Sequence, residues 1–323
     1  MVSVNVSEGA NRHKASAINV KPARITSNHV AELAGVSQAT VSRALSGKGG
    51  VSADVIERVR NAAQSLGYRP NSLARSLITG STRTIGLVVA YLDNPFYADV
   101  LEKFSRYLQE QGYHLMVYLH ANQQDDVDAV IHDLADKQVD AMILASASLT
   151  NTLALELAQR NIPVVQFNRR LSAQPDAPSV TSANKQGAAR VADYLVDKGY
   201  QRIAHISGWL GSSTGVERQA GFEEQLKQRG HSLVAKADSQ FNRDVCMAQT
   251  RAMFAGPTKP DAVFVGNDHM AFAVMDCLRY ELGLRIPKDV AVIGYDDVPQ
   301  AAWPAYNLTT VRQPANRMVQ ATC

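Results

Sequence analysis

Beyond Thr84 the chain alternates between short β-branched, apolar runs and longer amphipathic stretches. The apolar runs fall at 84–90, 114–119, 141–145, 163–167, 202–206, 262–266 and 290–294. Helical spacing fills 97–110, 126–137, 185–198, 218–228, 245–254 and 269–280. Near-continuous apolar strands separated by helices predict doubly wound α/β architecture, with parallel sheets covered on both faces. Residues 84–323 are too many for one compact sheet, so two similar lobes with a cleft between them are expected.

Upstream of Thr84 the period is helical. Val30, Leu33 and Ala34 follow Thr26 at helical spacing, Gly35 interrupts, and Ser37 is placed to cap a second helix carrying Val41, Ala44 and Leu45. A third helix, begun by Ser52 or Asp54, aligns Val55, Val59, Ala62, Ala63 and Leu66 on one face and stops at Gly67. Two short helices around a glycine turn predict a helix-turn-helix, and the third closes a small headpiece core. Tyr68-Arg69-Pro70-Asn71 breaks the pattern, and Asn71 then caps a segment ending at Thr79 with Leu73, Ala74 and Leu77 on one face. That segment is too short to be a stable helix alone. The expected organisation is a disordered leader over 1–24, a headpiece over 25–70, a hinge and linker over 71–83, and the two-lobed body over 84–323.

Charge sharpens this division. Residues 1–83 hold 11 Lys and Arg against 4 Asp and Glu, whereas residues 84–323 hold 22 against 26. A basic head on an acidic body suits a nucleic-acid-binding module joined to a domain with another task. The 323 residues are 46% hydrophobic and 20% charged, a globular composition. No run approaches the roughly 18 apolar residues needed to span a bilayer, and residues 1–25 lack the apolar core of a secretory signal. A cytoplasmic protein with no membrane partner is expected. Cys246, Cys277 and Cys323 are widely spaced without a CxxC, so reduced thiols are expected, with no metal site and no cofactor.

The start of the second helix carries the chemistry for reading DNA. Gln38 can pair bidentately with adenine, Ala39 can meet a thymine methyl, and Thr40, Ser42 and Arg43 offer hydroxyl and guanidinium donors. Thr26 and Ser37, at the two helix starts, complete the set.

The run from Val30 to Leu45, with Val51-Ser52, Leu66-Gly67-Tyr68, Pro70-Asn71 and Ala74-Arg75-Ser76-Leu77, closely resembles the LacI/GalR family of bacterial transcription regulators. Asn94-Pro95-Phe96-Tyr97, Arg218-Gln219-Ala220-Gly221-Phe222, Gly266-Asn267-Asp268, Gly294-Tyr295-Asp296-Asp297 and the stretch from Leu308 to Pro314 extend the resemblance in order. It implies a homodimer or tetramer whose headpieces sit in the major grooves of a near-palindromic operator DNA. It also implies that 71–77 is a hinge helix folding on DNA, with Leu77 the minor-groove lever and Ala74 allowing close helix approach. The body is then similar to a periplasmic sugar-binding protein. Its effector, a sugar, sugar acid or sugar phosphate, is expected at strand ends facing the cleft. The implied contacts are Asp93, Phe96, Asn168, Arg218, Phe241, Asn267, Asp296 and Gln313. Arg218, expected to begin its helix, would fork onto paired oxygens and Phe241 would stack on a sugar face.

The sequence departs from the family pattern at His29, where an acidic residue is common, and at Ser27, where an apolar one is common. Both predict a less firmly packed first helix. The leader is longer than usual, and the chain stops at Cys323 within a helix following Pro314, which is expected to leave part of one lobe uncovered. Two other classes fit the sequence less well. A free sugar-binding protein leaves the headpiece unused. An enzyme on a doubly wound fold lacks a GxGxxG opening its first helix, a GxxxxGK[ST], an HExxH and a GxSxG, and Gly208-Trp209-Leu210-Gly211-Ser212-Ser213 is only loosely similar to a phosphate loop.

Overall fold

Thr26 and Ser37 open the first two helices of the computed structural model, which describes residues 25–47, 49–69, 80–89, 92–119, 127–145, 151–170 and 177–323. Helices α1 (Ser27–Ala34), α2 (Gln38–Ser46) and α3 (Ala53–Ser65) form the headpiece. Gly35, at φ 64°, supplies the left-handed residue that turns α1 into α2. Val30, Ala34, Val41, Ala44, Val59, Ala62 and Ala63 close the core. Leu33 does not join it: the side chain is 57% exposed and Ala31 is buried instead. In so short a helix the spacing i, i+3, i+4 leaves the buried face free to turn by one residue. His29 takes up the role an acidic residue would have, its Nδ1 accepting the Thr26 N–H at 3.1 Å as the returning half of a capping box.

The chain divides between Thr79 and Gly80 into two units. In the second, β1 (Thr84–Val89), α4 (Pro95–Glu110), β2 (His114–Leu119), α5 (Val127–Asp136), β3 (Ala141–Ala145), α6 (Asn151–Gln159), β4 (Val164–Phe167) and β5 (Ser179–Val180) build the first lobe. The second lobe is α7 (Asn184–Asp197), β6 (Ile203–Ser207), α8 (Ser213–Gln228), β7 (Ala235–Asp238), α9 (Arg243–Ala255), β8 (Ala262–Val265), α10 (Asp268–Asp276), β9 (Ala291–Asp296) and β10 (Thr309–Arg312). The sheet orders are β2-β1-β3-β4-β5 and β10-β9-β8-β6-β7, with every described pairing parallel. Each order reverses beside its first strand, between β1 and β3 and between β6 and β8, where the ends of open α/β strands leave a crevice for ligands.

Helix α11 (Ala315–Thr322) returns to the first lobe and packs on α4, β4 and β5. The chain therefore crosses between lobes at 181–183 and again at 313–314. In the second lobe α7 and α8 lie in close contact, with Gly221 of α8 against the Lys185 carbonyl of α7.

Several elements escape the hydrophobic pattern. Strand β5 is two residues long, β7 reads Ala-Lys-Ala-Asp, and β10 is half-exposed, so none shows an apolar run. Helix α6 was also not expected. The helix expected over 269–280 is α only to Asp276, and continues as a π turn over Cys277–Glu281. Cys246 and Cys277 are buried free thiols that burial pushes up to about 12 and about 11, which keeps them protonated. Among the described residues no helix is long and apolar enough to cross a membrane.

His205 sits at the centre of β6, fully buried, 4.9 Å from the Phe264 ring centroid. Its Nδ1 bonds the Phe264 carbonyl at 2.9 Å while Nε2 has no partner among the described residues. Burial lowers its pKa from 6.5 to about 4. Between those values the unfolded chain binds a proton that the folded chain does not. Stability is therefore full above about pH 6.5 and falls as pH drops towards 4, by roughly 3 kcal/mol in all from this group. Urea denaturation is expected to show about 2 kcal/mol of that loss by pH 5. The His205→Leu variant should lack this slope, and an unchanged slope would assign the acid sensitivity elsewhere.

Candidate functional sites

The headpiece gathers one set of candidates on an outward surface. Thr26, Ser37, Gln38, Ala39, Ser42 and Arg43 are exposed and Thr40 is half-buried. The Ser37 hydroxyl accepts the Thr40 N–H at 3.2 Å and bonds the Thr40 hydroxyl at 2.9 Å, so this capping pair fixes the start of α2. Gln38 Nε2 donates to Ser27 Oγ at 3.2 Å, linking the starts of α2 and α1. Ser27, where an apolar residue was expected, thus holds Gln38. Asn71, Ala74 and Leu77 lie outside the described residues.

The body gathers the second set around Arg218. Helix α8 starts five residues earlier than its periodicity suggested, with the Ser212 hydroxyl accepting the Gly215 N–H at 3.2 Å. Arg218 consequently sits in the second turn rather than at the helix start, only 3% exposed. Its Nε donates to Asn184 Oδ1 at 2.9 Å, and Nη1 donates to the Gly266 carbonyl at 2.7 Å and reaches Asp296 Oδ1 at 3.5 Å. The guanidinium carbon lies 3.7 Å from the Tyr295 ring centroid. The protein itself therefore clamps this arginine by one edge and one face, and Nη2 makes no hydrogen bond to the described residues.

Asp296 also receives Gln313 Nε2 at 2.7 Å. Behind it Asp268, fully buried, accepts the Val298 N–H at 3.0 Å and the Thr310 hydroxyl at 2.5 Å. Burial raises both carboxyls. Arg218, Gln313 and Arg169 favour the charge on Asp296, while the Val298 N–H and the Thr310 hydroxyl favour that on Asp268 against the neighbouring carboxylate, so the two carboxyls titrate as a pair.

From the opposite lobe Asn168 follows β4, and its Nδ2 donates to Tyr97 Oη at 3.1 Å. Asn168 Oδ1 and Gln313 Oε1 are buried with no hydrogen-bond partner among the described residues. Asn168, Phe241 and Asp296 hold φ values of 69°, 52° and 137°. Such conformations cost non-glycine residues on the order of 1–3 kcal/mol each, least for asparagine.

Four candidates remain, each at or after a strand end. Asn267 caps α10, its Oδ1 accepting the Met270 N–H at 2.9 Å. Phe241 has one ring face taken by the Arg169 guanidinium at 4.6 Å, leaving at most the other for a sugar. Phe96 is buried edge-on against Tyr97. Asp93 is exposed on the loop before α4. Sequence reasoning missed Asn184, Glu217 and Ser213, because the expected helices began at 185 and 218 and left their first turns unread.

Comparison with known proteins places both units. Residues 28–71 match the profile described as bacterial regulatory proteins, lacI family. Residues 82–319 match that of periplasmic binding proteins and the sugar binding domain of the LacI family. The ribose operon repressor of Escherichia coli (strain K12) is 32% identical over 299 residues, covering 91% of this chain and 89% of that protein. The HTH-type transcriptional repressor PurR of Vibrio vulnificus is 33% identical over 297 residues, with 91% and 88% coverage. Among solved structures, the lac repressor dimer bound to operator and the anti-inducer ONPF superposes with a TM-score of 0.80 at 26% identity, covering 92% and 90% of the two chains. A complex of the transcriptional regulator CelR with cellobiose gives 0.66 at 31% identity, covering 93% and 91%.

Proposed function

The chain belongs to the LacI family of bacterial regulatory proteins, and from that premise we propose that it represses transcription as a homodimer on a near-palindromic operator, released or recruited by a neutral polyhydroxylated effector held at Arg218. It is a DNA-binding transcriptional repressor and not an enzyme. The lac repressor neighbour is a dimer on its operator, which supports the same assembly here. A cytoplasmic location follows from that reading.

One observation carries the effector class. Two buried acceptors of the cleft, Asn168 Oδ1 and Gln313 Oε1, have no hydrogen-bond partner among the described residues, and Gln313 lies against the Asp296 carboxylate that Arg218 also reaches. Gln313 cannot present its amide the other way round without turning its oxygen onto that carboxylate. Buried acceptors need donors, each costing about 1–3 kcal/mol when unmet. Sugar hydroxyls donate to them and accept from Arg218 Nη2 at once, whereas an ionised carboxylate or phosphate placed against them could not donate and would face the Asp296 carboxylate. A thermal-shift panel of pentoses, hexoses, sugar acids and sugar phosphates tests this, because a ligand at 100 times its Kd adds about 2.7 kcal/mol. Neutral sugars are expected to give the largest shifts. A response confined to the anionic compounds would overturn the assignment.

On the operator side Gln38 is expected to read a base. Gln38→Ala should lower affinity for the preferred operator by about 1–3 kcal/mol relative to variants at one position, with the salt slope unchanged. Fluorescence anisotropy over a set of single-position operator variants checks it. Equal weakening on every sequence with a shallower slope would make Gln38 a phosphate contact.

A further inference from the structure

We propose that Glu217 is a positioning residue that ties the aim of Arg218 to contact between the two lobes. The inference rests on the cleft being the effector site. Arg170, in the loop after β4, belongs to the first lobe. Its backbone N–H donates to Ser213 Oγ at 2.9 Å and its guanidinium pairs with Glu217 Oε1, both partners lying on α8 of the second lobe. The other oxygen, Glu217 Oε2, accepts Asn184 Nδ2 at 3.0 Å. Asn184 Oδ1 in turn accepts Arg218 Nε. A continuous polar chain thus runs from a first-lobe arginine to the arginine buried in the cleft.

The chemistry of the middle link makes the chain directional. Asn184 is 1% exposed. It sits between a carboxylate, which only accepts, and a guanidinium, which only donates, so its amide has a single allowed orientation. That orientation is imposed through Glu217 as long as Arg170 holds the carboxylate in place. The Arg170 side chain is 54% exposed, and exposed ion pairs contribute almost nothing to stability. Its geometric consequence is larger: when the lobes part, Glu217 loses its anchor, Asn184 loses one of three restraints, keeping the Ser182 hydroxyl on Oδ1 at 3.2 Å, and the acceptor of Arg218 Nε is held less firmly. An effector that draws the lobes together therefore meets an Arg218 that closure has already aimed, while an open cleft presents a less ordered one. Binding and closure are coupled through the same bonds.

The test needs no effector, so its outcome is separate from that of the sugar panel. In the full-length protein the Arg218 Nε–Hε resonance is recorded by nitrogen-15 TROSY spectroscopy and assigned by its loss in Arg218→Lys. It should be protected from exchange with water in the wild type. Arg170→Ala, which removes a side chain with no contact to Arg218, should shift that resonance and speed its exchange by about tenfold, the equivalent of one hydrogen bond. Glu217→Gln should do the same, the double variant no more than either single one, and Arg170→Lys should largely restore the signal. Backbone spectra away from the cleft report that each variant is folded. An unprotected wild-type resonance, an Arg218 signal indifferent to Arg170→Ala, or additive effects in the double variant would each overturn the proposal.

Discussion

Arg218→Ala is expected to abolish the response of operator binding to effector, lowering effector affinity at least a hundredfold, about 2.7 kcal/mol. Two contributions add. The ligand loses a charge-assisted donor, a contact of about 1.5–3 kcal/mol. The cleft also rearranges, because the Gly266 carbonyl loses its donor, Asn184 Oδ1 keeps only the Ser182 hydroxyl, and Asp296 loses its paired cation. Burial already raises the Asp296 carboxyl, and without Arg218 it is pushed further towards its neutral form. Removing one partner of a buried ion pair typically costs 3–5 kcal/mol of stability; at 3.5 Å this pair belongs at the lower end. Against total stabilities of about 5–15 kcal/mol the variant remains folded with a lowered midpoint. Operator binding without effector, measured by anisotropy beside a thermal melt, should be retained. A folded variant that still responds to effector would remove Arg218 from the site.

The second large effect lies one turn further along the same helix. An alanine Cβ at Gly221 would stand 2.2 Å from the Lys185 carbonyl oxygen and 2.8 Å from its carbonyl carbon, backbone atoms with no rotamer to yield. Helix propensity alone favours alanine by about 1 kcal/mol. Overpacking against backbone costs typically 1–3 kcal/mol, and more where two helices must separate. The clash wins, and Gly221→Ala should lose about 2 kcal/mol, the upper end of the overpacking range less the propensity gain, in urea denaturation. Because α7 carries Asn184 and α8 carries Arg218, parting the helices should also weaken effector binding. A variant more stable than the wild type by the propensity difference would show that the two helices can separate freely.

The sequence discloses this fold where burial is two-sided and the site where chemistry is type-specific. Strands β1, β3 and β8 are continuous apolar runs because both faces are covered, and the expected runs fall on them. Strands β7 and β10 are exposed sheet edges whose register comes from a neighbour rather than from their own pattern. Arg218 and Asp296 are legible as charged residues at an expected helix start and strand end, Gln313 only through the family resemblance, and the three do meet. Asn184 and Glu217 are not legible: an asparagine at a helix start and a glutamate in an amphipathic helix look like an ordinary cap and a solvated face. Their roles arise only when α7 and α8 are laid side by side. Leu33 errs the other way, an apolar residue at core spacing that the short α1 turns to the outside.

The second lobe is one uninterrupted stretch of sequence, from Asn184 to Arg312. The first is interrupted: its sheet and helix α4 come early, yet the helix that covers α4, β4 and β5 is α11, made after the whole second lobe. During synthesis the early lobe therefore waits with an unburied face while the later one can collapse as soon as it emerges. Order of emergence and order of completion are opposite. A nascent chain therefore leaves the faces of α4, β4 and β5 that meet α11 uncovered until the second crossing at Gln313 and Pro314 has delivered it.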